Sequence, residues 1–314
     1  MSDVQKTVPS GVYAPLYTFF HEDESLDLES FKHHVKWVAS AGVGIVALGS
    51  SGEAVHLSHD ERREVLLAAR QVLDSDASLA AIPLIAGTPA SSTRETIELT
   101  RQAAECGADS AMVITPGYFA GTLTRAAIKQ FFTDVAEASP IPILVYNYPG
   151  ASAGIDIDSE LMSEIAQNSS NIVGCKLTCG SVGKLSRLTW LDNFAVLGGF
   201  ADFMSAGLLL DGAGCITGLA NLAPKTCMQL YKATTDYLKS PSAEALDEVR
   251  RLQGIVSRAD WPVIKGGIAG PKYVLDRIRG YGGAPRRPLL PMEAKDGEKM
   301  LAALQEILEH EKTL

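Results

Sequence analysis

The stretch "NIVGCKLT", residues 171–178, is short, rich in apolar groups and free of clean polar alternation. A strand of a parallel sheet reads this way when helices cover both of its faces. Seven further runs share the pattern: "GVYAPLYTFF" (11–20), "GIVALGS" (44–50), "IPLIAG" (82–87), "SAMVITP" (110–116), "IPILVYN" (141–147), "FAVLGGF" (194–200) and "GAGCITGLA" (212–220). The segments between them show helical periodicity. In "LSHDERREVLLAARQVL" (57–73), Ser58 is placed as N-cap, and Glu61 three residues later completes a capping box. Val65, Leu66, Ala69 and Leu73 then fall on one face. "STRETIELTRQAAECGAD" (92–109) reads as another helix, with Gly107 placed as its C-cap. Strands alternating with helices at roughly 20- to 40-residue spacing predict a (β/α)8 TIM barrel of the α/β class. A doubly wound open sheet is the runner-up, and eight units without a composition break favour closure. The barrel is expected over residues 1–236 and a C-terminal helical region over 237–314. Helices are expected there near 242–258, 262–279 and 292–311, for packing or oligomer contacts.

The chain has 314 residues, 46% of them hydrophobic, with a mean hydropathy near zero, enough for a sizeable core. The formal net charge of -9 and pI of about 5.2 argue against nucleic acid and an anionic membrane as partners. A small anionic ligand needs only local donors and is compatible with that charge. The five cysteines (106, 175, 179, 215 and 227) are few, odd in number and mostly in apolar segments, which argues for a reducing compartment without a disulfide framework. "MSDVQKTVPSG" has no basic start followed by an apolar run and no arginine-rich amphipathic stretch, and no apolar run reaches membrane-spanning length, so a cytoplasmic location is expected.

Lys176 sits inside "NIVGCKLT", flanked by Ile172, Val173, Cys175 and Leu177. An unpaired ammonium there is costly or loses its proton. Either the lysine stem snorkels to solvent or finds a carboxylate, or burial leaves a neutral amine at pH 7, which is a nucleophile. In a barrel the active site lies at the C-terminal ends of the strands. The second run delivers Gly49, Ser50, Ser51, Gly52 and Glu53 there. The fourth ends in Thr115, Pro116, Gly117 and Tyr118, the fifth in Tyr146, Asn147, Tyr148, Pro149 and Gly150, and the sixth carries Lys176. A Schiff-base aldolase needs such a set: an amine to form an imine, backbone donors for a carboxylate and a hydroxyl to move a proton. Ser50, Ser51 and Gly52 read either as a tight turn or as an anion nest. Taken singly, Tyr146 and Tyr118 read as rim aromatics, because a phenol shuttles protons only where hydrogen bonds and a nearby cation tune it.

Together these motifs resemble the dihydrodipicolinate synthase / N-acetylneuraminate lyase family of class I aldolases. "GSSGE" (49–53) is similar to its Gly-(Thr/Ser)-(Thr/Ser)-Gly-Glu loop, "TPGYF" (115–119) to its Thr-Pro-x-Tyr strand end, and "YNYPG" (146–150) to its Tyr-Asn-x-Pro motif. "VGCKLTCG" (173–180) resembles its Gly-x-Lys strand, and "GGFADF" (198–203) and "GAGCITGLANLAP" (212–224) its late glycine-rich segments. The resemblance spans about residues 11–225 and extends to the helical tail. It implies that Lys176 forms the Schiff base and that Tyr146 moves the proton. It also implies that Ser50 links Tyr146 to Tyr118 in a relay, the second tyrosine arriving from the neighbouring subunit in many members. Ser51, its amide and the adjoining Gly52 would hold the substrate carboxylate, and Gly199 and Ile216 would line the pocket floor. A homodimer or homotetramer is implied, acting on a keto acid (pyruvate) and an aldehyde, with no metal or organic cofactor.

Members that condense aspartate semialdehyde carry an arginine two residues after the proline of Tyr-Asn-x-Pro. Here "GASAGIDID" (150–158) follows Pro149 without an arginine, and the closing glycine comes one residue late, at Gly154. An uncharged loop cannot pair a second carboxylate as an arginine would. "VYNYPGASAGIDID" (145–158) and "VGCKLTCGSVGKLSRL" (173–188) look most like the branch that cleaves 2-keto-3-deoxy sugar acids, as in fungal 2-keto-3-deoxy-L-galactonate aldolases. Ser152 would then contact a sugar hydroxyl. The 4-hydroxy-2-oxoglutarate aldolases come next, followed by 4-hydroxy-tetrahydrodipicolinate synthase and a sugar-acid dehydratase. A zinc-dependent aldolase on His56 and His59 is a weaker reading, because no dense ligand cluster accompanies that pair. A non-catalytic keto-acid sensor would not need the lysine, two tyrosines and serine pair together.

Overall fold

The computed structural model describes residues 8–314. The first half of the barrel runs β1 (Gly11–Pro15), α1 (Leu28–Ser40), β2 (Gly44–Ala47), α2 (His59–Asp74), β3 (Leu84–Gly87), α3 (Thr93–Glu105), β4 (Ser110–Ile114) and α4 (Arg125–Ala138). The second runs β5 (Ile143–Asn147), α5 (Ser159–Asn168), β6 (Ile172–Leu177), α6 (Val182–Ser186), β7 (Ala195–Gly198), α7 (Met204–Leu208), β8 (Gly214–Ile216) and α8 (Pro224–Lys239). All eight strands are parallel and close in sequence order into a barrel, so the open-sheet alternative is excluded.

Alternate residues of each strand explain the missing polar alternation. Tyr13, Val46, Ile85, Met112, Leu144, Leu197 and Ile216 fill the barrel interior as one apolar cluster. Their neighbours Ile45, Leu84, Val145, Cys175, Val196 and Cys215 join the larger cluster beneath the helices. Both faces are dry, so both are apolar. Local signals hold as read: Ser58 and Glu61 form the reciprocal capping box of α2, and Gly107 turns the chain after α3 with φ +81°.

The C-terminal region comprises α9 (Ala243–Gly266), α10 (Ala269–Arg279), α11 (Ala294–Ala303) and α12 (Gln305–Lys312). Three boundaries differ from expectation. Residue 236 lies inside α8, which continues to Lys239. α9 runs through Pro262 instead of breaking before it, because Ile255, Val256, Ala259 and Val263 hold both sides of the proline in the core. Gly267, at φ +60°, ends that helix instead. The last expected helix is two, divided at the buried Leu304. Helix α9 reaches the mouth of the barrel, where Asp260 Oδ2 accepts the Ala201 and Asp202 amides at 2.7 and 3.1 Å. No helix among the described residues is long and apolar enough to cross a membrane.

Candidate active site

Three lysines among the described residues are buried: Lys176, Lys184 and Lys272. Two have carboxylate partners. Lys272 Nζ lies 2.7 Å from Glu53 Oε1 with both side chains fully buried, and Lys184 pairs with Asp156. Lys176, only 5% exposed, has no such partner. Burial therefore dominates and lowers its pKa from the usual lysine value to about 7. A substantial fraction of the amine is neutral at pH 7, as a nucleophile requires.

Strand register supplies its neighbour. Tyr146 of β5 pairs with Lys176 of β6 across the ladder, so residues thirty positions apart share one face about 4.8 Å apart. Lys176 Nζ stands 4.4 Å from the Tyr146 ring centroid. Burial raises the Tyr146 pKa, while the Ser50 and Thr178 hydroxyls beside it favour the ionised form. Thr178 Oγ1 is itself buried and meets the criteria for no hydrogen bond among the described residues, so it keeps capacity to contact a ligand. Tyr148 stacks on Tyr146 at 5.7 Å. Asn147, between these tyrosines, is fully buried and holds the loop: its Nδ2 donates to Asp156 at 2.7 Å and its Oδ1 accepts the Ile157 amide at 2.9 Å.

The "GSSGE" segment leaves β2 through a tight turn. Gly52 and Glu53 amides donate to the Gly49 and Ser50 carbonyls, both at 3.1 Å. The Ser50 and Ser51 amides have no backbone acceptor among the described residues and remain as donors for an anion. Leu48 and Glu53 bracket the turn at φ 61° and 53°, a conformation that costs a non-glycine residue energy.

A cavity of about 500 Å³ opens at this end of the barrel. Ser50, Ser51, Tyr146, Lys176, Gly199 and Ile216 all border it. Gly199 must be glycine: a Cβ there would lie 2.3 Å from Thr178 Oγ1. Three sequence-predicted residues are not brought to the cavity within this chain. Gly52 packs beneath the turn, where its carbonyl accepts Thr18 Oγ1 at 2.7 Å. Ser152 is fully buried and donates to the Thr115 carbonyl at 3.0 Å, so the expected sugar contact is corrected to a tie between the β5 and β4 loops. Tyr118 lies outside on the surface, 82% exposed, against Phe119. His56 and His59 face Glu53 and Glu95 respectively, each at 3.2 Å. No three His, Cys, Asp or Glu side chains gather in a metal-holding group among the described residues.

Three polar cavity residues escaped the sequence reading. Thr178 lies two positions beyond Lys176, the strand repeat that returns to the same face, and that periodicity was available as a signal. Tyr17 and Asp260 arrive from the loop after β1 and from α9; no local pattern marks them.

A family model for the "Dihydrodipicolinate synthetase family" matches residues 8–307. An "L-threo-3-deoxy-hexylosonate aldolase" of Hypocrea jecorina is 42% identical over 320 residues, covering 98% of this chain and 99% of its own. The "Probable 4-hydroxy-2-oxoglutarate aldolase, mitochondrial" of Emericella nidulans is 42% identical over 310 residues, covering 97% and 96%. A solved dihydrodipicolinate synthase family protein from Coccidioides immitis superposes with a TM-score of 0.85 at 33% identity over 98% and 99% of the two chains. With the lysine, the tyrosine and the serine turn at one barrel mouth and these matches along nearly the whole chain, the protein belongs to the dihydrodipicolinate synthetase family.

Proposed function

We propose that the protein is a class I aldolase that cleaves a 2-keto-3-deoxy sugar acid to pyruvate and an aldehyde such as glyceraldehyde. The observation that carries this reading is Lys176, a buried lysine without a carboxylate partner, facing Tyr146 at the floor of an open cavity. The substrate carboxylate sits on the Ser50 and Ser51 hydroxyls and amides. The neutral Lys176 amine adds to C2, and loss of water leaves a protonated imine. This puts a fixed positive charge beside the Tyr146 ring and eases ionisation of a phenol that burial otherwise keeps neutral. Tyr146 takes the C4 hydroxyl proton. The C3–C4 electron pair moves into the imine, forming an enamine and releasing the aldehyde. Protonation at C3 and hydrolysis then free pyruvate and restore the amine. Ser50 passes the proton onward, with Tyr118 of a neighbouring subunit completing the relay in a homodimer or homotetramer.

Two features favour a sugar acid over a substrate with a second carboxylate. Among the described residues Lys176 is the one cationic side chain bordering the cavity, and residues 150–158 after Pro149 contain no arginine. The Hypocrea relative bears a sugar-acid aldolase name. Cleavage of 4-hydroxy-2-oxoglutarate is the second reading, supported by the Emericella relative. All five cysteines are free and four are buried, which fits a reducing compartment, and the cytoplasm is the proposed location. Incubation with pyruvate followed by borohydride and peptide mass spectrometry tests the chemistry. An adduct on Lys176 is expected; an unmodified protein, or an adduct on another lysine, overturns the reading.

A further inference from the structure

We propose that Tyr17 and Asp260 form the subsite for the hydroxyls of the departing aldehyde, and that this pair sets the choice among aldehyde partners. The proposal rests on the aldolase reading above. Tyr17 follows β1 and is 1% exposed, with its ring on the cavity wall. Its hydroxyl finds no hydrogen-bond partner among the described residues; burial and the nearby Asp260 both keep the phenol protonated. Because Tyr17 borders the cavity, that hydroxyl is a donor a ligand can take up.

Asp260 comes from α9 and is equally buried. Its Oδ2 is occupied by the Ala201 and Asp202 amides. Its Oδ1 receives only a long 3.3 Å contact from Thr217 Oγ1 and keeps acceptor capacity. Beyond these two groups, Val263, Ile264, Ile268, Leu289 and Leu290 make the same side of the cavity apolar. A substrate hydroxyl is donor and acceptor at once. It can donate to Asp260 Oδ1 and accept from Tyr17, satisfying both. An alkyl aldehyde offers neither group that partner.

The test runs in the condensation direction, with pyruvate and two aldehydes: glyceraldehyde, and propanal, which has the same carbon count but no hydroxyls. The wild-type protein should prefer glyceraldehyde over propanal by about ten-fold or more in kcat/KM. Tyr17→Phe should lower kcat/KM for glyceraldehyde about ten-fold while changing propanal less than about two-fold. Asp260→Asn keeps an acceptor for the two amides and should shift the same ratio in the same direction. Tyr17→Phe removes a single oxygen, so it keeps the test readable if Asp260→Asn loosens the 201–202 loop. Borohydride trapping of pyruvate on Lys176 should be unchanged in both variants. An equal fall for both aldehydes marks a merely structural role and overturns the subsite, as does an unchanged ratio. If wild-type protein forms no Lys176 adduct, the aldolase reading fails and the subsite falls with it.

Discussion

Lys176 is set apart from Lys272 and Lys184 by having no carboxylate opposite its ammonium among the described residues. A carboxylate returns part of the desolvation cost in the paired lysines. Without one, Lys176 loses proton affinity until its pKa is about 7. The rate of imine trapping should therefore rise with pH through about 7 and level off above it, as the neutral fraction saturates; a profile still climbing through pH 9 would contradict the assignment. The same shift costs stability. The folded pKa lies below the ordinary lysine value of 10.5, so the unfolded chain binds more protons between those limits, and stability rises with pH across that window. Lys176→Met should abolish the pyruvate adduct yet raise Tm by on the order of 2 °C, most clearly below pH 7. Tyr146→Phe should lower turnover by about 10²-fold or more while the pyruvate imine still forms on Lys176; near-normal turnover would remove Tyr146 from proton transfer.

At the scale of the element, the turn after β2 joins chemistry to architecture. Its serines face the cavity, and its closing Glu53 points the other way. Glu53 Oε1 holds Lys272 of α10, and Oε2 accepts the Arg286 amide at 2.8 Å. The Lys272 ammonium also donates to the Ala284 carbonyl at 3.2 Å. This buried pair anchors the strained serine turn to the C-terminal helices. Lys272→Met removes one partner and leaves a buried carboxylate uncompensated, which should cost about 3–5 kcal/mol in denaturant melts. A loss below about 1 kcal/mol would show that the pair does not carry this tie. The glutamate of "GSSGE" was visible in the sequence, but Lys272, 219 positions away, was not. Helix starts with side-chain caps were legible because the cap lies within a few residues; the passage of α9 through Pro262 was not, since distant packing decides it.

For the whole molecule, the cavity is a joint product of barrel and tail. The strand ends supply the residues around the imine, and α9 with the segment carrying Leu289 and Leu290 supplies further lining. Tyr118 and Phe119, 82% and 64% exposed, and Val55, 73% exposed, are large apolar side chains left on the surface. Their exposure supports the proposed oligomer. Sedimentation should find a dimer or tetramer. Tyr118→Phe should lower turnover about ten-fold or more while leaving the melting temperature of the assembly within about 1 °C. An unaltered rate would remove Tyr118 from the proton relay.

The sequence by itself determined the alternation of strands and helices, the capped helix ends, and the lysine, tyrosine and serine motifs at the strand ends. Each of these is written in contiguous residues, through periodicity, capping or a short motif. Tertiary structure alone decided that register sets Tyr146 beside Lys176 and that Ser152 is tied to the Thr115 carbonyl instead of facing the cavity. It also decided that Tyr17 and Asp260 border the same cavity. These depend on contacts between residues far apart in the chain. Whether a lysine is paired or alone is such a contact, and Lys176, Lys184 and Lys272 differ in it even though all three are buried.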